Sequence, residues 1–158
     1  MANIKMARID DHFIHGQYAA RWCEAFESNL IIVINDELAT DKVRQGLLDM
    51  AVPNTINSRY YTIEKALKQL PKLSEDKHVL LILESLTDLK ILIEAGIEIP
   101  HVNLGSTLVA PKTRYLTKYV SLSDNDFDIL NELSRLGVTI DIRRLPDDTP
   151  EPFASLLN

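Results

Sequence analysis

Along this chain the hydrophobic positions alternate between two periods. Residues 30–34 (Leu-Ile-Ile-Val-Ile) and 79–83 (Val-Leu-Leu-Ile-Leu) are unbroken apolar runs, the pattern of strands buried on both faces of a sheet. Elsewhere apolar side chains recur at i, i+3, i+4 and i+7, which gathers them into one stripe on a helix. Ala19, Trp22, Cys23 and Phe26 predict a helix over 16–28 with an inward stripe. Val43, Leu47 and Met50 line a second helix, entered through a turn and N-cap at Asn35-Asp36 and ended before Pro53. Ile63, Ala66, Leu67 and Leu70 form the apolar set of a third, capped by Thr62 and stopped by Pro71. Ser85 with Asp88 opens a fourth, buried through Leu89, Leu92 and Ile93. Ser123 with Asp126 opens a fifth, with Phe127, Leu130, Leu133 and Leu136 inward. Gly96 and Gly137 stand where a left-handed residue closes a helix.

Shorter strands are expected at Ile4, Met6 and Ile9, at residues 56–61 as an edge strand, at 102–104 and at 118–122. Val138, Ile140 and Ile142 alternate with polar residues, as in a half-exposed strand near the sheet edge, free to pair with another subunit of a homo-oligomer. Pro146, Pro150 and Pro152 make the end a loop, with a turn of helix at 153–157. Strand and helix patterns alternate throughout. This predicts an α/β fold: an open, mostly parallel β-sheet with helices on both faces, one domain over residues 1–158.

Composition narrows the class. The 46% hydrophobic and 25% charged content is that of an ordinary globular protein. No apolar run approaches the ~20 residues that span a bilayer, and the first residues lack a signal-peptide core, so a cytoplasmic location is expected. A single cysteine, Cys23, excludes an internal disulfide and sits as a small core residue on the first helix. The net charge of −6 speaks against nucleic acid as the main partner. No G-x-G-x-x-G or Walker loop is present, and no cofactor is expected.

The candidate chemistry lies in residues 8–17, R-I-D-D-H-F-I-H-G-Q, a strand-to-helix loop where open α/β proteins hold their sites. His15 directly precedes Gly16, which opens the helix, and the unpaired N–H groups and positive partial charge there suit an anion. A neutral imidazole is a nucleophile, and phosphoryl transfer asks mainly for in-line approach and donors around three oxygens. Asp10 and Asp11 can orient an imidazole, and Arg8 can counter phosphate charge. On residue type alone Asp10, Asp11, His12 and His15 also form a ligand set for zinc or manganese. A metal-dependent hydrolase using Asp10, His12 and His15 therefore stays open. His78 and His101 each begin a strand as structural or surface residues, and Lys112, Arg114, Arg143 and Arg144 form either a basic rim or scattered surface cations.

The loop resembles the signature of the IIB components of the mannose/fructose/sorbose family of the bacterial sugar phosphotransferase system, roughly R-[IV]-D-[DE]-R-L-I-H-G-Q with a tryptophan soon after. Arg8, Ile9, Asp10, Asp11, Ile14, His15, Gly16, Gln17 and Trp22 match it. The likeness continues in N-D-E at 35–37, E-A-G-I at 94–97, V-N-L-G at 102–105, V-S-L-S at 120–123 and the closing L-G-V. The resemblance implies a free-standing phosphoryl carrier. Its His15 would take the group from the phosphohistidine of a IIA component and pass it to a sugar translocated by membrane IIC and IID components. Arg8, Asp10, His12, Gly16 and Gln17 would support the site, with no metal, and the protein would sit peripherally at the transporter. A regulatory phospho-protein of the same fold, uncoupled from transport, is the alternative. Two departures stand out. His12 occupies the position of a common arginine, which implies slower transfer or steeper pH dependence, and Gly105-Ser106 replaces a frequent glycine pair.

Overall fold

The structure is a computed structural model that describes residues 3–14, 16–107 and 114–153, with the backbone alone at 16 and 17. His15, Lys112 and the turn expected beyond Phe153 lie outside the described residues.

Two long apolar runs form the middle of the sheet, as their composition requires. Strands β1 (Asn3–Asp10), β2 (Leu30–Ile34), β3 (Asn57–Tyr61), β4 (His78–Leu83), β5 (His101–Ser106) and β8 (Thr139–Ile142) are parallel. With the antiparallel β9 (Glu151–Pro152) they give the order β3-β2-β4-β1-β5-β8-β9. Every residue of β2 is buried, and so is each of β4 after His78. A fully buried Leu or Ile side chain is worth roughly 1.5–3 kcal/mol, so these two strands dominate the hydrophobic driving force.

The sheet divides the core in two. Helix α1 (Gly16–Ala25) and helix α2 (Lys42–Asp49) lie over Met6, Ile31, Val33, Leu80 and Ile82. Helices α3 (Ile63–Gln69), α4 (Leu86–Glu94) and α5 (Asp124–Arg135) cover the opposite face, against Ile9, Ile32, Leu81, Val102 and Ile140. The chain after β1 therefore leaves to one face, while the chain after the adjacent β4 leaves to the other. This is the switch point at which open α/β sheets present a crevice.

Local signals act where expected. Thr62, Ser85 and Ser123 each accept a backbone N–H as helix N-caps, and the Ser123–Asp126 box is reciprocal. Gly96 and Gly137 take φ of 94° and 91°, the left-handed region that closes α4 and α5. Helix α1 stops at Ala25, short of the expected 28, because Glu27 turns to φ 53°.

Several expectations need correction. Asn35-Asp36 does not cap α2: the Asn35 side chain accepts from Leu38 N at 2.9 Å to open a short 3₁₀ turn, and Asp41 caps the helix. The apolar stripe of α2 faces solvent, with Val43, Leu47 and Met50 at 78%, 65% and 83% exposure. Gln45 turns inward in their place and donates to the Leu38 carbonyl at 2.8 Å. Leu136, at the C-cap of α5, is likewise exposed. Of residues 118–122, only Ser121–Leu122 form a strand, β7, paired antiparallel with β6 (Arg114–Tyr115) in a separate ribbon. Strand β8 is not half-exposed: Ile140, Asp141 and Ile142 are all buried. Its outer edge from Asp141 to Ile142 is taken by β9, so it offers no free edge there to a second subunit.

Candidate functional site

The register of the sheet produces the site. Arg8 of β1 lies opposite Asn103 of β5, which lies opposite Asp141 of β8. These three side chains form a polar ladder across neighbouring strands, under α1. The Arg8 guanidinium donates to Asn103 Oδ1, to Asp10 Oδ2 at 3.1 Å and to the carbonyls of Arg143 and Arg144 at 3.2 Å each. Asn103 Nδ2 donates to Asp141 Oδ1 at 2.7 Å, and Asp141 Oδ2 meets His101 Nε2 at 2.7 Å and Arg143 Nη2 at 3.0 Å. Burial alone would raise the Asp141 carboxyl. The bonds from His101, Asn103 and Arg143 outweigh it and hold the group below the usual carboxylate range.

Arg8 is 3% exposed, and burial lowers its proton affinity against the pull of Asp10, yet a guanidinium stays charged. The Nη1 and Nη2 groups of Arg8 donate to Asp10, Asn103 and two carbonyls, and in this way it braces the loop from below. Trp22, fully buried, closes over it at 5.1 Å and donates its indole N–H to the Arg144 carbonyl at 3.0 Å. Gly105 lies directly against the guanidinium. A Cβ there would come closer than 3.0 Å to three of its atoms.

The loop after β1 is held at several points. Asp10 Oδ1 accepts the His12 backbone N–H at 2.9 Å, the Phe13 N–H reaches the Asp10 carbonyl at 3.1 Å, and the Asp11 N–H reaches the Ser106 carbonyl at 2.9 Å. Asp10 is therefore a loop-shaping group, bonded to backbone and Arg8. Phe13 sits at φ 57°, a left-handed conformation that a bulky residue rarely takes. Burial of Phe13 and Ile14 in the core beneath α1 holds it there, with Arg44 5.4 Å above the phenyl ring. The loop is thus clamped on both sides of His12, whose half-exposed ring has Nδ1 3.6 Å from Asp10 Oδ1. Gly16 begins α1, as the sequence implied. Asp11 faces the other side of the β1 end.

Arg8, Asp10, His12, Tyr18, Gly105, Ser106 and Arg144 surround one cavity of about 270 Å³. It carries two guanidinium groups and an imidazole against a single carboxylate already paired with Arg8. Across the β1 end, a hollow of about 360 Å³ holds Asp11, Glu84 and Asp126 instead, a poor setting for an anion. Among the described residues no group of three or more His, Cys, Asp or Glu is placed to hold a metal ion.

The other candidates disperse. Arg143 is committed to Asp141, and Arg114 stacks on Phe127 at 4.0 Å, so with Lys112 undescribed no common basic rim emerges among the described residues. Cys23 is buried, and desolvation pushes its thiol up to about 12. Sequence reasoning missed Tyr18 and the Asn103–Asp141 ladder. The available signal was an Asn and an Asp, each flanked by apolar residues within a strand, because a buried polar side chain needs partners.

Comparison with known proteins agrees with this geometry. Residues 4–158 match the family model described as the PTS system sorbose subfamily IIB component. The chain is 36% identical over 159 residues to the fructose-specific EIIB component of the phosphotransferase system of Bacillus subtilis (strain 168), covering 99% of this chain and 97% of that protein. It is 31% identical to the mannose-specific EIIAB component of Escherichia coli (strain K12), covering 98% of this chain and 48% of that longer protein. The crystal structure of the IIBSor domain of the sorbose permease from Klebsiella pneumoniae superposes with a TM-score of 0.89 at 32% identity, over 99% of this chain and 96% of that one. A sheet of this order, a clamped loop after its central strand and a match along nearly the whole chain agree, and the protein belongs to the sorbose subfamily of phosphotransferase-system IIB components.

Proposed function

We propose that this chain carries a phosphoryl group on His15, taken from the phosphohistidine of a IIA component and passed to a sugar held by membrane IIC and IID components. One observation carries the reading. The loop that contains His15 leaves the sheet at the switch point, is clamped on either side of His12, and borders a cavity with two guanidinium groups and one paired carboxylate. Residues 1–158 act as one IIB domain. Among the described residues no helix is long and apolar enough to cross a membrane. In this reading the sugar is held by the membrane partners, and the chain meets it at their cytoplasmic face.

In the first step the His15 imidazole attacks phosphorus as the donor's P–N bond breaks, and the donor ring keeps the electron pair. In the second a sugar hydroxyl attacks, the new P–N bond breaks, and the hydroxyl proton leaves to solvent. Arg8 and Asp10 fix the loop, the N-terminus of α1 at Gly16 and Gln17 favours negative charge, and His12 offers a donor at the cavity. The mannose-specific relative named for both IIA and IIB supports a IIA donor.

The test is intact-mass analysis after incubation with phosphoenolpyruvate and the upstream carriers. The expected product carries one acid-labile phosphoryl group, absent from His15→Ala. An acid-stable label, or one that persists in His15→Ala, overturns the assignment. Sugar phosphate formed by membranes containing the partner components, and lost with His15→Ala, separates transport from regulation.

A further inference from the structure

Arg144 is a cation at the cavity that has no carboxylate partner among the described residues. Arg8 beside it is neutralised by Asp10 at 3.1 Å, and Arg143 by Asp141 at 3.0 Å. The Arg144 guanidinium has no carboxylate and no hydrogen-bond acceptor among the described residues; it rests on the faces of Tyr119 at 4.0 Å and Tyr18 at 5.5 Å. Stacking on rings holds the plane of a guanidinium and leaves its edge of N–H donors to point outward. Its backbone is equally fixed, because the Arg144 carbonyl accepts from Trp22 Nε1 at 3.0 Å and Arg8 Nη2 at 3.2 Å. The half-buried side chain lines the same 270 Å³ cavity as Arg8, His12 and the Ser106 residue. Its charge also opposes that of Arg8, pushing the Arg8 proton affinity down. With Arg8 paired to Asp10, the Arg144 charge is the one left uncompensated at this hollow, and an entering anion would be favoured there.

We propose that Arg144 is a catalytic residue of phosphoryl transfer, its stacked guanidinium binding the phosphoryl oxygens in this cavity and supplying the permanent charge that His12 cannot. This rests on the reading of His15 as the carrier and adds a residue outside the loop. Arginine brings a planar fork of donors that matches phosphate oxygens; histidine brings one donor whose charge depends on pH. The pH dependence implied by His12 in place of arginine is then largely masked while Arg144 is present.

Two measurements on the full chain test the proposal. The first is the rate of phosphoryl labelling of His15 by the upstream carriers between about pH 6 and 8. Arg144→Gln is expected to slow it about 100-fold, the effect of removing one preorganised donor to developing oxyanions. The ratio of variant to native rate should also fall as pH rises, since the titration of His15 is common to both. Of Arg8, Asp10, His12, Tyr18 and Tyr119 around Arg144, only the histidine is of a type that titrates in this range. His12→Arg with Arg144→Gln should recover at least a tenth of the native rate and flatten that ratio; Arg144→Lys should recover less. A merely structural Arg144 would lower the melting temperature and leave the pH ratio flat.

The second measurement needs no turnover. Inorganic phosphate is titrated into the unphosphorylated protein, and arginine side-chain Nε–H signals are followed by NMR. The Arg144 signal should move, and the response of its neighbours should vanish in Arg144→Gln. If native protein is never labelled, the reading of His15 fails, and Arg144 is judged on this titration alone. A rate within threefold of native with an unchanged pH profile in Arg144→Gln, or an Arg144 signal that phosphate leaves in place, overturns the proposal.

Discussion

Replacing Gly105 by alanine should unsettle the protein although no side chain is removed and the backbone there suits any residue. The added methyl would lie closer than 3.0 Å to Nη1, Nη2 and Cζ of Arg8, against an ordinary contact of 3.4–4 Å. A flexible surface arginine would swing aside. Arg8 cannot, because it is 3% exposed, lies beneath Trp22 and is bonded to Asp10, Asn103 and two carbonyls. Moving the guanidinium by up to about an ångström weakens charge-assisted bonds worth about 1.5–3 kcal/mol each and leaves buried acceptors short of a donor. A loss of roughly 3 kcal/mol follows, or about 6–12 °C in melting temperature for a chain of this size. Scanning calorimetry on Gly105→Ala, Arg8→Ala and the double variant reads it directly. If the clash is with Arg8, the double variant is no less stable than Arg8→Ala alone, a strong departure from additivity. Additive losses, or a Gly105→Ala melting point within 2 °C of native, would refute the reasoning.

Three further outcomes are expected. Leu47→Ser, on the exposed stripe of α2, should change unfolding free energy by less than about 0.5 kcal/mol, whereas Leu89→Ala, fully buried in α4, should cost roughly 2–5 kcal/mol in urea titration. Asp141→Asn should cost roughly 3 kcal/mol near neutral pH by leaving the partly buried Arg143 without its carboxylate. Because the folded carboxyl is held below its unfolded value, its contribution is present above that value and fades as pH falls through the folded one, so native and variant stabilities should converge below about pH 4; a gap unchanged into acid contradicts the assignment. The Cys23 thiol, pushed up to about 12 and buried, should resist thiol reagents until the protein unfolds. Stoichiometric labelling of the folded chain would show that α1 opens more readily than its packing implies.

Much of the architecture could be read directly because its causes are local. An apolar run in β2 or β4, a serine bonding an N–H three residues on, or a glycine at positive φ depends only on near neighbours in the chain. The inward face of α2 does not. The same apolar spacing that correctly identifies the buried side of α4 points Val43, Leu47 and Met50 to solvent, because the Leu38 carbonyl needs a donor and Gln45 provides it. The final strand was misread for a related reason. Alternating polarity suggests a wet face, but Asp141 is buried and satisfied by His101, Asn103 and Arg143.

For the site itself, the order of residues in the 8–17 loop was enough to identify a histidine at a helix start and to suggest its chemistry. What surrounds that loop was decided by the parallel register. It alone brings Arg8, Asn103 and Asp141 side by side, 95 and 38 residues apart along the chain. It also seats Arg144 beside the same cavity as His12, because β8 lies next to β5, which in turn pairs with β1. A sequence specifies local conformation through adjacent side chains; which charges share a cavity depends on strand order, a property only the assembled sheet possesses.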